Sequence, residues 1–148
     1  EYGIKLSYHH HIGTMVESDQ EVERLMNETH PEYVNLNYDC GHFALANENP
    51  VDAFKKYHYR VSHIHLKDIR SSIKAMAEEQ GLSFLDAVRK GVFTVPGDGD
   101  LTIDSIINLI SKSGYDGWVV VEAEQDPSQA NPLEYAVKGF KYLKKHFG

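Results

Sequence analysis

Short runs in which apolar and polar residues alternate are interleaved along this chain with stretches whose apolar positions recur every three to four residues. The first pattern predicts strands, whose side chains point to opposite faces in turn. The second predicts helices, which return to one face after about 3.6 residues. Four strand-like runs stand out, at 3–9 (GIKLSYH), 32–39 (EYVNLNYD), 60–66 (RVSHIHL) and 117–122 (GWVVVE). A helix is predicted from Ser18, where Ser18 and Glu21 form a capping box and Val22, Leu25 and Met26 mark one face. Pro50 is expected in the first turn of a short helix running through Tyr57. Helical stretches near 72–80 and 83–90 fill a longer connection that ends in the turn Pro96-Gly97-Asp98-Gly99. A helix over about 102–112 carries Ile103, Ile106, Ile107 and Ile110 on one face and stops at Gly114. The last helix has Asn131 as cap, Pro132 at its first position and Lys144-Lys145 near its end. A βα unit repeated four times predicts an α/β fold with a parallel sheet and right-handed crossovers. No linker or low-complexity tract divides residues 1–148, so the chain reads as one unit.

The parity of each run has chemical content. One face carries Lys5, Ser7, His9 and His11, then Tyr33, Asn35, Asn37 and Asp39, then Val61, His63, His65 and Lys67, and finally Trp118, Val120, Glu122 and Glu124. A parallel strand covered on both faces should be apolar on both. Here polar faces end in side chains able to bind a metal, each at the carboxyl end of its run. Sites form at that end in α/β sheets and barrels, because the loops there vary without disturbing the core. His9 or His11, Asp39, His65 and Glu122 are therefore expected to converge on one rim. This mix of nitrogen and carboxylate oxygen suits a divalent ion such as Mn²⁺ or Co²⁺, with Zn²⁺ also possible.

Composition narrows the classes. Fifteen Lys and Arg against 22 Asp and Glu give a net charge of −7, which disfavours a phosphate-backbone surface and hence a nucleic-acid partner. No apolar run approaches the roughly 18 residues of a membrane span. The single cysteine, Cys40, cannot form an internal disulfide, suits a reducing cytoplasm and reads as packing. Of the nine histidines, His30, His58 and His146 fall outside the strand-end pattern and read as solvated, while His10 should turn away from the site. The Ile103 to Ile110 stripe reads as core. Pro96-Gly97-Asp98-Gly99 lacks the Lys and glycine spacing of a phosphate loop. The start Glu1-Tyr2-Gly3, with neither initiator Met nor signal peptide, suggests a piece of something longer.

The strings at these strand ends resemble a known family. Asp39-Cys40-Gly41-His42 is similar to the Asp-x-Gly-His segment of the xylose-isomerase-like sugar isomerases and epimerases. His63-Ile64-His65-Leu66-Lys67-Asp68 resembles their His-x-His-x-Lys-Asp segment, and Val121-Glu122 their last-strand glutamate. More narrowly, YHHHIGT (8–14), SFLDAVRKGVFTVPGDG (83–99) and GWVVVEAEQDP (117–127) look like the inosose dehydratases of myo-inositol breakdown. The resemblance implies a (β/α)₈ TIM barrel with a divalent metal at its mouth. It implies Asp39, His65 and Glu122 as metal ligands and His42 as a group on a substrate oxygen. His9 stands about where the wider superfamily has a fourth, glutamate ligand, so either His9 or His11 takes that place or water completes the site.

The implied reaction is a metal-dependent removal of water from 2-keto-myo-inositol (scyllo-inosose), through a metal-stabilised enediolate, to a trihydroxycyclohexane-dione. Glu122 or Glu124 would act as base, and Lys67 or His42 would protonate the departing oxygen or hold a hydroxyl. His63 and Arg70 are further candidates for substrate contact. The rival readings are an isomerase or epimerase using the same metal, an apurinic endonuclease (disfavoured by the charge), and an inactive fragment. A complete barrel takes about 250 residues and eight βα units. Four units over 148 residues predict its C-terminal half, which should pair with a second copy or with the absent N-terminal half because both sheet edges are open.

Overall fold

The computed structural model describes residues 4–147. Its chain order is β1 (Leu6–His9), α1 (Asp19–Glu28), β2 (Val34–Asp39), α2 (Cys40–Leu45), α3 (Pro50–Tyr57), a 3₁₀ turn at His58–Arg60, and β3 (Val61–Leu66). There follow β4 (Asp68–Ile69), α4 (Ser71–Glu79), α5 (Phe84–Arg89), β5 (Phe93–Thr94), α6 (Ile103–Lys112), β6 (Val119–Val121) and α7 (Pro132–Phe147). Strands β1, β2, β3 and β6 form one parallel sheet in that order. The expected run at 3–9 shortens to Leu6–His9, and its first residue, Gly3, lies outside the described residues.

The predicted caps act as expected. Ser18 and Glu21 close a reciprocal capping box on α1, and Asn49 accepts from two backbone N–H groups ahead of Pro50. Asn131 likewise accepts from Leu133 and Glu134. Leu36, Tyr38, Ile64 and Leu66 project from the outer sheet face and pack with Val22, Met26, Phe54 and the Ile103, Ile106, Ile107 and Ile110 stripe. The helices thus cover one face of the sheet, while the other carries the polar side chains. Arg60, almost wholly buried, donates to the carbonyls of Met26, Thr29 and Val34 and staples the end of α1 to the start of β2.

Two features differ from the sequence expectation. A short helix, α2, starts directly after Asp39, because Asp39 Oδ1 accepts from the N–H groups of Gly41 and His42. The long connection after β3 also contains an antiparallel pair, β4 with β5, which two-residue strands cannot announce through periodicity. Buried Asp68 accepts from the backbone N–H of Ile69, Gly97, Gly99 and Leu101, so one carboxylate shapes the whole Pro96–Gly99 turn. A Cβ on Gly99 would lie 2.3 Å from the Ile69 carbonyl oxygen, which explains the glycine. His146, expected in solvent, is exposed but also lies 3.3 Å from Asp104.

Candidate metal centre and active site

The parallel register sets the site. Asn37 pairs with His9 on one side and His63 on the other, and Asp39 pairs with His65. His9, Asp39, His65 and Glu122 consequently meet, with one ligand-capable atom from each within 4.8 Å of all the others. Asp39 is fully buried, and with Oδ1 spent on α2 its Oδ2 faces His9 Nε2 at 3.3 Å, Lys67 Nζ at 3.4 Å and His65 Nδ1 at 3.5 Å. Glu122 brings Oε2 to 3.1 Å from His65 Nδ1 and 2.7 Å from Lys67 Nζ.

His11 does not join this group. It forms a second one with His42 and Glu124, its ring tilted against that of His42 with centroids 3.8 Å apart and its Nε2 3.3 Å from Glu124 Oε1. Lys67 stands between the groups, its Nζ 3.0 Å from His42 Nε2 and 3.1 Å from Glu124 Oε2. With its contacts to Glu122 and Asp39, that buried ammonium bridges the two groups. Its stem lies against Gly41, where a Cβ would come within 2.7 Å of Lys67 Cγ. The glycine between Asp39 and His42 is thus a clearance for the lysine. Glu124 has φ 40°, a left-handed backbone that costs a non-glycine residue energy and occurs preferentially at functional sites.

Burial pushes the Asp39 carboxyl up, but its close contacts with His65 and His9 and the Lys67 charge outweigh it and hold the group well below the usual carboxylate range. Contact with His65, opposed by burial and helped by Lys67, brings Glu122 down to about 2. Burial lowers the His65 imidazole, yet Asp39 and Glu122 together raise it to about 9. Burial depresses Lys67, but Asp39, Glu124 and Glu122 more than restore its proton. His42, buried and beside Lys67, drops to about 2 and stays neutral.

These residues fit a divalent ion. His65 Nδ1 and Glu122 Oε2 are buried and face each other without hydrogen-bond geometry, as donor atoms do when aimed at a common centre. The two carboxylates favour a positive charge at this point, which a cation would supply.

Other predicted residues are placed differently. His63 is half-buried on the same face, with its ring 5.3 Å from that of His65, and it lies outside both groups. Arg70 donates to the Gly91 and Phe93 carbonyls, Thr94 and Asp98, and none of its hydrogen bonds goes to either group. It therefore braces the Pro96–Gly99 turn, whose Asp98 also pairs with Lys138. His10 does turn away and is fully buried on Phe43, ring centroids 3.9 Å apart. Cys40 is buried, with Sγ against the Lys67 carbonyl oxygen. Sequence reasoning put Asn37 on the polar face but gave it no task; in the structure its carboxamide reaches His65 Nε2 at 3.3 Å.

A family model described as a xylose isomerase-like TIM barrel matches residues 1–146. The chain belongs to that family. An inosose dehydratase of Clostridium botulinum is 49% identical over 143 residues, spanning 97% of this chain and 48% of the relative. Inosose dehydratase 2 of Bacillus cereus is 48% identical over 148 residues, spanning 100% of the chain and 50% of the relative. The chain thus spans about half the length of these curated relatives. Among solved structures, a probable 3-DHS dehydratase of Bacillus anthracis superposes with a TM-score of 0.73 at 19% identity, covering 95% of this chain and 49% of that one. The IolI protein, solved with a bound zinc atom, gives 0.68 at 18% identity, covering 99% and 51%. These two likenesses bear on fold. Four parallel βα strands, beside relatives twice as long, make this family member half of an eight-stranded barrel.

Proposed function

We propose that this chain supplies the metal-binding half of the active site of a hydro-lyase that removes water from 2-keto-myo-inositol (scyllo-inosose), giving a trihydroxycyclohexane-dione in myo-inositol breakdown. The observation that carries this reading is the convergence of His9, Asp39, His65 and Glu122 from four neighbouring parallel strands beside the buried ammonium of Lys67. The 48–49% identity to proteins named inosose dehydratase supports the choice of reaction.

His9, Asp39, His65 and Glu122 would hold a divalent ion, Mn²⁺ or Co²⁺ by ligand type. Such an ion supplies Lewis-acid polarisation of a ketone oxygen. Glu124, outside the four-ligand group and set on a strained backbone, is the base that takes the proton from the carbon beside the ketone. Lys67 holds the Glu122 carboxyl low, touches Glu124 and shares its Nζ proton network with His42 Nε2, so this pair delivers the proton to the departing hydroxyl. His42 and Lys67 also offer hydrogen bonds to substrate oxygens. A single cysteine and a small polar substrate agree with a cytoplasmic enzyme.

The test is made on the full-length protein incubated with 2-keto-myo-inositol. Loss of one water from the substrate mass, abolished by chelation and restored by Mn²⁺ or Co²⁺, is expected. Glu122→Gln should lose both bound metal and turnover, and retention of both would overturn the assignment. A product of unchanged mass would instead assign an isomerase or epimerase.

A further inference from the structure

The polar face of β2 holds a buried side chain to which the proposed reaction gives no role. Asn37 is 6% exposed, sits in register between His9 and His63, and lies one inward-facing position before Asp39. Its carboxamide approaches only one group of the site, Nε2 of His65, at 3.3 Å. Its Oδ1 is buried and has no hydrogen-bond partner among the described residues. At the other end of the same ring, Nδ1 faces Asp39 Oδ2 and Glu122 Oε2.

Proton accounting for this ring decides how the amide must face. Where Nδ1 is a metal ligand, the proton of the neutral imidazole is on Nε2. Nε2 is then a donor and needs an acceptor, and an amide nitrogen is not one. Presenting Oδ1 to Nε2 satisfies the donor and the orphaned oxygen in one contact, and amide orientation is assigned by such a network. We infer that Asn37 is a positioning residue, accepting a hydrogen bond from His65 Nε2–H through Oδ1 and so committing the Nδ1 lone pair to the metal centre.

This inference rests on the metal reading given above, in which His65 ligates through Nδ1. Asn37 itself touches neither ion nor substrate. Partners of this kind hold a ligating imidazole in one tautomer and one orientation, and their removal weakens metal binding by about 10–100-fold.

Two variants of the full-length protein separate the roles. Asn37→Asp keeps the shape and can only accept, whereas Asn37→Leu keeps the volume and can do neither. Proton–nitrogen correlation spectra of the histidine rings, with His65 assigned by a His65→Gln variant, report the Nε2 proton directly in metal-free and Zn²⁺-loaded protein. The expected result is a solvent-protected Nε2–H signal in wild type and Asn37→Asp that is lost or in fast exchange in Asn37→Leu. Zn²⁺ and Mn²⁺ titrations should show about 10–100-fold weaker binding for Asn37→Leu alone. Absence of an Nε2–H signal in Zn²⁺-loaded wild type, its loss in Asn37→Asp, or unchanged spectra and affinity in Asn37→Leu would each overturn the inference. Failure of wild type to bind either ion would instead sink the metal reading, and this inference with it.

Discussion

Lys67 is the residue on which the electrostatics of the site turn. Its side chain is completely buried, yet its ammonium touches Asp39, Glu122 and Glu124. Replacing it by methionine strands three carboxylates, and removing one partner of a buried ion pair costs about 3–5 kcal/mol. Lys67→Met should therefore lower the urea midpoint of the metal-free protein. Mn²⁺ should recover more of the midpoint in the variant than in wild type, because a divalent ion restores the missing positive charge; equal recovery would count against a shared site. The two glutamates should separate in the same assays. Glu124→Gln is expected to keep its metal content and lose about 10²–10⁴-fold in turnover, as for removal of a general base, while Glu122→Gln loses both. His10 gives a pH signature. Burial lowers its imidazole from 6.5 to about 4. Between those values the unfolded chain binds a proton that the folded one does not, so its contribution to stability is full above 6.5 and is lost as pH falls. Urea midpoints measured from pH 7.5 to 4.5 should fall less steeply for His10→Leu than for wild type.

Among the elements, the Pro96–Gly99 turn shows how a short motif acquires meaning only in its surroundings. As a string it announces a turn and nothing more. Folded, it hangs from the Asp68 carboxylate by the N–H groups of Gly97 and Gly99, and the same carboxylate holds Ile69 and Leu101. Asp68→Ala would leave four backbone donors without their acceptor, and each buried orphan costs about 1–3 kcal/mol. A drop in thermal midpoint, with faster amide exchange confined first to 96–101, is the expected outcome; an unchanged midpoint would show that water replaces the carboxylate freely. The helices were legible because caps and periodicity are local. Ser18, Asn49, Ser83 and Asn131 each accept from the N–H groups of the turn that follows them. Elements α2, β4 and β5 were not legible, because they owe their existence to Asp39 and to pairing between residues distant in sequence.

For the whole molecule, the decisive feature is the open sheet. Among the described residues, strands β1 and β6 each have a neighbour on one side only. Leu6 on the first edge is 62% exposed, and Trp118 and Phe140 beside the second are 78% and 63% exposed. Unpaired edges flanked by exposed apolar side chains favour association. The 148-residue chain purified by itself is expected to self-associate at micromolar concentration, and Trp118→Glu with Phe140→Glu should shift sedimentation toward the monomer. Monomeric, cooperatively folded behaviour of the unmodified chain would defeat that expectation. Among the described residues no helix is long and apolar enough to cross a membrane.

The amino-acid sequence by itself determined the alternation of four strands with helices, the face on which the histidines and carboxylates lie, and the chemistry of which those side chains are capable. These follow from side-chain periodicity, helix capping and residue type, all of which act over a few neighbouring residues. Only the tertiary structure separated His9 from His11. The parallel register sets His9 beside Asp39, while the turn after β1 carries His11 over to His42 and Glu124. Only the tertiary structure, likewise, diverted Arg70 into bracing a loop and brought Asn37 against His65. The reason is physical: ligand geometry is a relation between strands far apart in the chain, fixed by the pairing register of the sheet.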